Sequence, residues 1–106
     1  MRSGNLRHRI EIQHLVHGEN EYGDPVAEWQ TFANVWAEVL DLKGREFWQA
    51  AQVQSEVTTR VRIRYLPGIK PSMRVVHDGR HLEITTVLDP DGRRRELQLL
   101  CKGIVE

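Results

Sequence analysis

Five histidines, one cysteine, fifteen carboxylates and an excess of arginine over lysine are the side chains of this 106-residue sequence that could do chemistry. His8 and His14 would share a strand face, but six residues of extended chain hold them ~20 Å apart, at ~3.3 Å per residue. His77 and His81 flank a tight Asp78-Gly79 turn and point to opposite faces, because His77 pairs with Arg80 and His81 with Val76. No cysteine or carboxylate completes a tetrahedral set around either pair, so no metal site is assigned. Cys101 lies between Leu100 and Lys102 with no base beside it, and reads as a buried or half-buried thiol rather than a nucleophile. Asp89 and Asp91 belong to a Pro-Gly turn, where aspartate serves backbone geometry. Gly18, Gly23 and Gly44 lack the spacing of a phosphate-cradling loop. The sequence names no catalytic residue, cofactor or metal ligand, and does not read as an enzyme.

Arginine remains. Twelve of the fifteen basic residues are Arg, the side chain suited to bidentate contact with carboxylate or phosphate. Arg60, Arg62 and Arg64 line one face of a strand, and Arg93-Arg94-Arg95 follow a turn. For the strand set, a solvated outer face competes with docking to an acidic protein surface or lining a passage for nucleic acid. No aromatic residue is interleaved with either cluster, which weighs against a base-stacking site for an oligonucleotide. The net charge of zero hides an asymmetry: residues 1–56 carry five basic and nine acidic side chains, a balance of −4, and residues 57–106 carry ten and six, a balance of +4. Trp29, Trp36 and Trp48 are expected in the core or in subunit contacts. Trp48 should be the most exposed, since it lies beside its helix's apolar face rather than within it. Tyr22 is the main apolar exception in an acidic stretch. The candidate partner contacts are therefore Arg60, Arg62, Arg64, Trp48, Tyr22, Arg93, Arg94 and Arg95.

The elements that would position these residues are mostly strands. Val57 to Tyr65 alternates without a slip, with Val57, Thr59, Val61, Ile63 and Tyr65 on one side and the arginines on the other. Leu66-Pro67-Gly68 ends it. Asp78-Gly79 is a type I′ hairpin signal between Met73–His77 and Arg80–Val87. It sets Val75 opposite Leu82, Met73 opposite Ile84 and Arg74 opposite Glu83, a register that a one-residue slip would spoil. Leu6–Leu15 reads as a first strand, residues 16–25 as a polar, mobile loop, and Val26–Ala33 and Asn34–Leu40 as two further strands. Around Phe47, Ala50 and Ala51 the period changes to that of a short helix, about Gly44–Gln54, with Asp41 as a plausible N-cap. If Asp89-Pro90-Asp91-Gly92 is a four-residue loop, Ile84 faces Leu97, Leu82 faces Leu99, and the last strand runs from Arg94 to about Gly103. The expected architecture is mainly β: a small antiparallel β-barrel of about six strands with one short inserted α-helix, in a single domain over 1–106. Closure is expected because it removes exposed edges.

Length and composition fit one soluble domain with a modest core. No apolar run approaches the ~20 residues that span a bilayer, so no membrane partner is expected. A lone cysteine and an N-terminus without the apolar core of a signal peptide suit a reducing cytoplasm, unless the chain leaves inside a larger assembly.

Several segments, taken in order, resemble the phage head–tail joining proteins. They are Met1-x-x-Gly4-x-Leu6-Arg7-x-Arg9-Ile10, Val35-Trp36-Ala37-Glu38-Val39, Leu42-x-Gly44-x-Glu46 with Ala50-Ala51, Arg62-Ile63-Arg64-Tyr65, Met73-Arg74-Val75, Leu82-Glu83-Ile84 and Leu97-x-Leu99-x-Cys101. The resemblance implies a head-closure (stopper or adaptor) protein with a small barrel fold, no catalytic residues, and long loops that rearrange on assembly. It implies a homo-oligomeric ring below the portal that helps retain packaged DNA and offers a platform to the tail. Portal or adaptor ring proteins and a tail completion protein would be its partners, with non-specific contact to packaged DNA. The free chain would be a monomer or weak oligomer in the host cytoplasm before entering the virion. The contrasting reading is a small β-barrel module that binds single-stranded nucleic acid.

Overall fold

A computed structural model of the chain describes residues 6–42 and 57–103. The chain folds into six strands: β1 (His8–Glu19), β2 (Pro25–Asp41), β3 (Thr59–Arg64), β4 (Arg74–His77), β5 (Arg80–Leu88) and β6 (Glu96–Gly103). All pair antiparallel and close into a barrel in the order β1-β2-β3-β6-β5-β4. The described residues contain strands and turns and no helix. The expected helix at 44–54, and Trp48 with it, lies outside them.

The inward positions of the strands build one core, with Ile10, Ile12, Val61, Ile63, Val75, Leu82, Ile84 and Leu99 all at 1% exposure or less. Each such aliphatic side chain stabilises by about 1.5–3 kcal/mol through burial. Leu100 points the other way, and packs with Leu42 and Val57 in a second, smaller cluster.

The β4–β5 hairpin has the expected register, with Val75 opposite Leu82 and Arg74 opposite Glu83. Asp78 and Gly79 both take positive φ (50° and 74°), as a type I′ turn requires. Beyond β4, the Ile84 N–H donates to the Met73 carbonyl at 2.9 Å, which continues the pairing.

Three expectations are corrected. Residues 16–25 are not a loop: β1 runs on to Glu19 and pairs with Pro25–Glu28, leaving only Asn20–Asp24 as a turn. A ribbon wet on both faces needs no apolar alternation, so its sequence looks like loop. Val26–Leu40 is one strand rather than two. Its irregularity is a β-bulge, in which Ile12 faces Ala33 and Gln13 faces Thr31, so that Phe32 is the extra residue. The bulge turns Phe32 inward, against the core. The third correction concerns β5 and β6, where Ile84 faces Cys101 and Leu82 faces Gly103. Leu97 and Leu99 instead face Ile63 and Val61 of β3. The connection occupies residues 89–95, because Asp89 and Asp91 carboxylates accept the Arg94 and Arg93 N–H groups at 3.1 and 2.9 Å and extend the turn into a wider loop. Ile84's partner moves by four residues, an even number, so the apolar faces still agree and the shorter loop looked self-consistent.

Candidate functional site

The β1–β2 ribbon outgrows the barrel. β1 pairs with β4 only over Glu11–Gln13, and β2 pairs with β3 only over Ala37–Asp41. From His14 outward, β1 has β2 as its one strand neighbour among the described residues. The molecule measures 50 × 27 × 26 Å, with the ribbon forming an arm off the barrel. Its tip is built by Asn20, whose side-chain oxygen accepts the N–H groups of Tyr22 (2.9 Å) and Asp24 (3.0 Å). The Gly23 N–H donates to the Asn20 carbonyl at 3.0 Å, and Gly23 supplies the positive φ (79°). Tyr22 stands 80% exposed at that tip, with Leu15 and Val26 also exposed along the arm.

A polar network fastens the arm where it leaves the barrel. The Thr31 hydroxyl and the Gln13 amide both donate to the Glu11 carboxylate. Hydrogen bonds from Thr31 first, then Gln13, hold the Glu11 carboxyl below the ordinary glutamate range, with a smaller contribution from the nearby Arg74 charge. Arg74 donates from Nε to the Gln13 side-chain oxygen at 2.6 Å, and its guanidinium lies 4.3 Å from the Trp29 ring centroid. Phe32 closes the underside, its ring edge 3.0 Å from where a Cβ on Gly68 would stand. A cleft of about 540 Å³ opens there, between His14, Leu15 and Phe32 on the arm and Lys70 and Met73 on the facing loop.

The same end of the barrel is ringed with cations. Arg64 closes β3 opposite Glu96, the first residue of β6, and the Tyr65 N–H donates to the Arg95 carbonyl at 3.1 Å. Loops 65–73 and 89–95 therefore meet at the end from which the arm departs. Arg64, Lys70, Arg93, Arg94 and Arg95 are all exposed there. Arg94 is held at φ 57° by the Asp89 carboxylate.

The three strand arginines are not equivalent. Arg62 reaches Glu38 at 3.1 Å and Glu96 at 3.7 Å, ion pairs that the register places across β2, β3 and β6. Arg60 is half-buried, and only Arg64 is exposed.

The structure also makes pairs that strand-by-strand reading missed. Arg9 and Trp36 are register partners, with the guanidinium 5.5 Å from the indole centroid and Trp36 53% exposed. These aromatic–basic pairs form across strands rather than along them, and they involve Arg9 and Arg74 rather than the two arginine clusters. His8 and His77, far apart in sequence, stack edge-to-face at 4.9 Å. Among the described residues no group of three or more His, Cys, Asp or Glu converges on a metal-sized site. Cys101 is buried in the core, where desolvation pushes its thiol up to about 12, so it stays protonated and unreactive at neutral pH.

A small closed barrel that holds a charged, two-stranded arm away from its body is the shape of an assembly component, one that presents surface to other proteins. The chain belongs to the family of phage head completion proteins, whose family model matches residues 1–104. It is 27% identical over 107 residues to the head completion protein gp7 of Enterobacteria phage HK97, covering 96% of each chain. The solution structure of protein SF1141 from Shigella flexneri 2a superposes with a TM-score of 0.79 at 29% identity, over 100% of this chain and 99% of that one. A chain in the virion of a native gene transfer agent particle shares the fold, with a TM-score of 0.62 at 20% identity over 95% and 97%. The protein is thus a structural component of the phage virion, in contact with other virion proteins, and its family is not a class of enzymes.

Proposed function

We propose that the chain closes the filled head as one copy in a ring below the portal, where it helps retain packaged DNA and offers the tail its platform. The supporting observation is the arm: a ribbon with open backbone edges, exposed apolar side chains and unpaired carboxylates is marginal by itself in water, and is completed by a neighbour. Portal or adaptor subunits on one side and a tail completion protein on the other are the partners, met in the host cytoplasm during assembly. Partner contacts are assigned to Tyr22, to Arg64 and to Arg93, Arg94 and Arg95. Arg60 and Arg62 carry less of this role, because Arg62 is already paired within the chain.

The Arg9–Trp36 pair favours a second reading, contact of this face with DNA. One face of the Trp36 ring is taken by its own arginine, which leaves a poorer stacking platform than a free aromatic. Deleting the gene and examining the particles by electron microscopy separates the readings. Head closure predicts heads that lose DNA and tails that stay unattached, both restored by the wild-type gene. Joined, DNA-filled particles without the protein would refute it.

A further inference from the structure

We infer that the arm of one copy docks on the cationic rim of the next copy in the ring, so that the tip carboxylates of Glu19, Glu21 and Asp24 and the Tyr22 ring meet Arg93, Arg94 and Arg95. This rests on the reading of the chain as a ring-forming head component.

The occupant follows from charge and reach. Between His14 and Thr31 the arm carries four carboxylates, Glu19, Glu21, Asp24 and Glu28, and no lysine or arginine. The rim carries five cations, Arg64, Lys70, Arg93, Arg94 and Arg95, against three anions, Asp89, Asp91 and Glu96, the last of which is held by Arg62 at 3.7 Å. Among the described residues no ion pair holds Glu19, Glu21 or Asp24, nor Arg64, Lys70, Arg93, Arg94 or Arg95, and Glu28 only accepts the Gln30 amide at 3.0 Å, while Arg62 and Lys102 have their carboxylates close by. Both surfaces sit at one end of the barrel, yet the arm points its acidic tip away from its own rim. Six residues of β1 beyond Gln13 give it a reach of ~20 Å, along the one long dimension of a molecule that measures 50 × 27 × 26 Å. A tip held that far out meets the rim of a copy that leans against this one. Consecutive arginines offer forked donors to carboxylates and a cation to the face of an exposed tyrosine, which matches the composition of the tip.

Arm and rim are different patches, so the contact is head-to-tail. Repeated by rotation it closes a ring, and each copy both gives an arm and receives one. This also explains a chain with zero net charge whose two halves carry −4 and +4.

Reversing each surface separately, then together, tests the contact. E19K/E21K/D24K alone, and R93E/R94E/R95E alone, should each lower incorporation into particles by about tenfold or more, since like charges then face one another. Co-expressing the two variants should restore it, because reversed arms dock on reversed rims in alternation. Two misfolded chains would not rescue each other, so restoration cannot come from folding. A disulfide between copies in particles of an E21C/R94C chain would confirm the contact directly, since native Cys101 is buried. Normal incorporation of either single reversal, failure of the mixture to recover, or absence of that cross-link would overturn the inference while leaving head closure standing. Absence of the wild-type chain from particles would overturn both.

Discussion

Arg62 lies between carboxylates from two different strands, and that geometry separates it from the arginines on either side. With Glu38 at 3.1 Å and Glu96 at 3.7 Å, its removal leaves two partly buried carboxylates facing each other. Arg62→Gln should therefore cost about 1 kcal/mol, the size of a partly screened pair plus its stranded acceptors. Arg64→Gln, at an exposed site, should stay within about 0.5 kcal/mol. Thermal melts of the two variants check this, and equal losses would show that Arg62 is merely solvated. Arg94 makes the converse case. At φ 57° a side chain with a Cβ is strained by about 1 kcal/mol or more, a cost that glycine avoids. Arg94→Gly should melt at the wild-type temperature or slightly higher, while incorporation into particles falls. A variant that is both less stable and fully incorporated would contradict the role assigned to this side chain.

At the scale of elements, the β4–β5 hairpin was fully legible because its turn dipeptide and its apolar pairs agree over adjacent residues. Barrel closure was legible too, from seven runs that each need a neighbour, two of which are one strand in the fold. The β5–β6 register was not. It depends on Asp89 and Asp91 capping a wider loop, and on a bulge at Thr85, whose hydroxyl donates to the Leu100 carbonyl at 2.9 Å. The arm was hidden for a different reason: periodicity reports burial, and between His14 and Thr31 the arm fully buries no side chain. Arg60, Arg62 and Arg64 were correctly placed on one face, but the partners of Arg62, Glu38 and Glu96, lie 24 and 34 residues away and only register reveals them. The arm's root gives the element its own prediction. Glu11 has its carboxyl held below the ordinary glutamate range in the folded chain, so its contribution is present at neutral pH and is lost as pH falls through that lowered value. Acidification should loosen the Thr31–Glu11–Gln13 network before the barrel unfolds, seen as earlier exchange of the amides around Thr31. Glu11→Gln should abolish the pH dependence of that opening. Uniform opening of arm and barrel, unchanged in Glu11→Gln, would mean that the root is held by packing of Phe32 instead.

The whole molecule combines an uncharged core with charges displayed at the surface, and salt should act on these very differently. Stability comes from aliphatic side chains such as Ile12, Ile63 and Ile84, all fully buried, and screening leaves burial of this kind almost untouched. The assembly contacts proposed above are exposed ion pairs, each worth about 0.2–1 kcal/mol. Three or four of them fall short of the roughly 4–15 kcal/mol of lost translational and rotational freedom that association must offset. The free chain should therefore sediment as a monomer or weak oligomer, and form a ring only where a preformed neighbour ring holds copies side by side and raises their effective concentration. Raising salt from about 0.1 M to about 1 M shortens the screening length from roughly 10 Å to 3 Å, so pairs at a solvent-exposed interface lose most of their attraction. Over that range the melting temperature of the free chain should hardly move, while loading onto heads prepared without the protein should fall steeply. Loading that is indifferent to salt would mean that apolar surface, with Tyr22, Leu15 and Val26 the available residues, dominates the contact and that the charges only orient it.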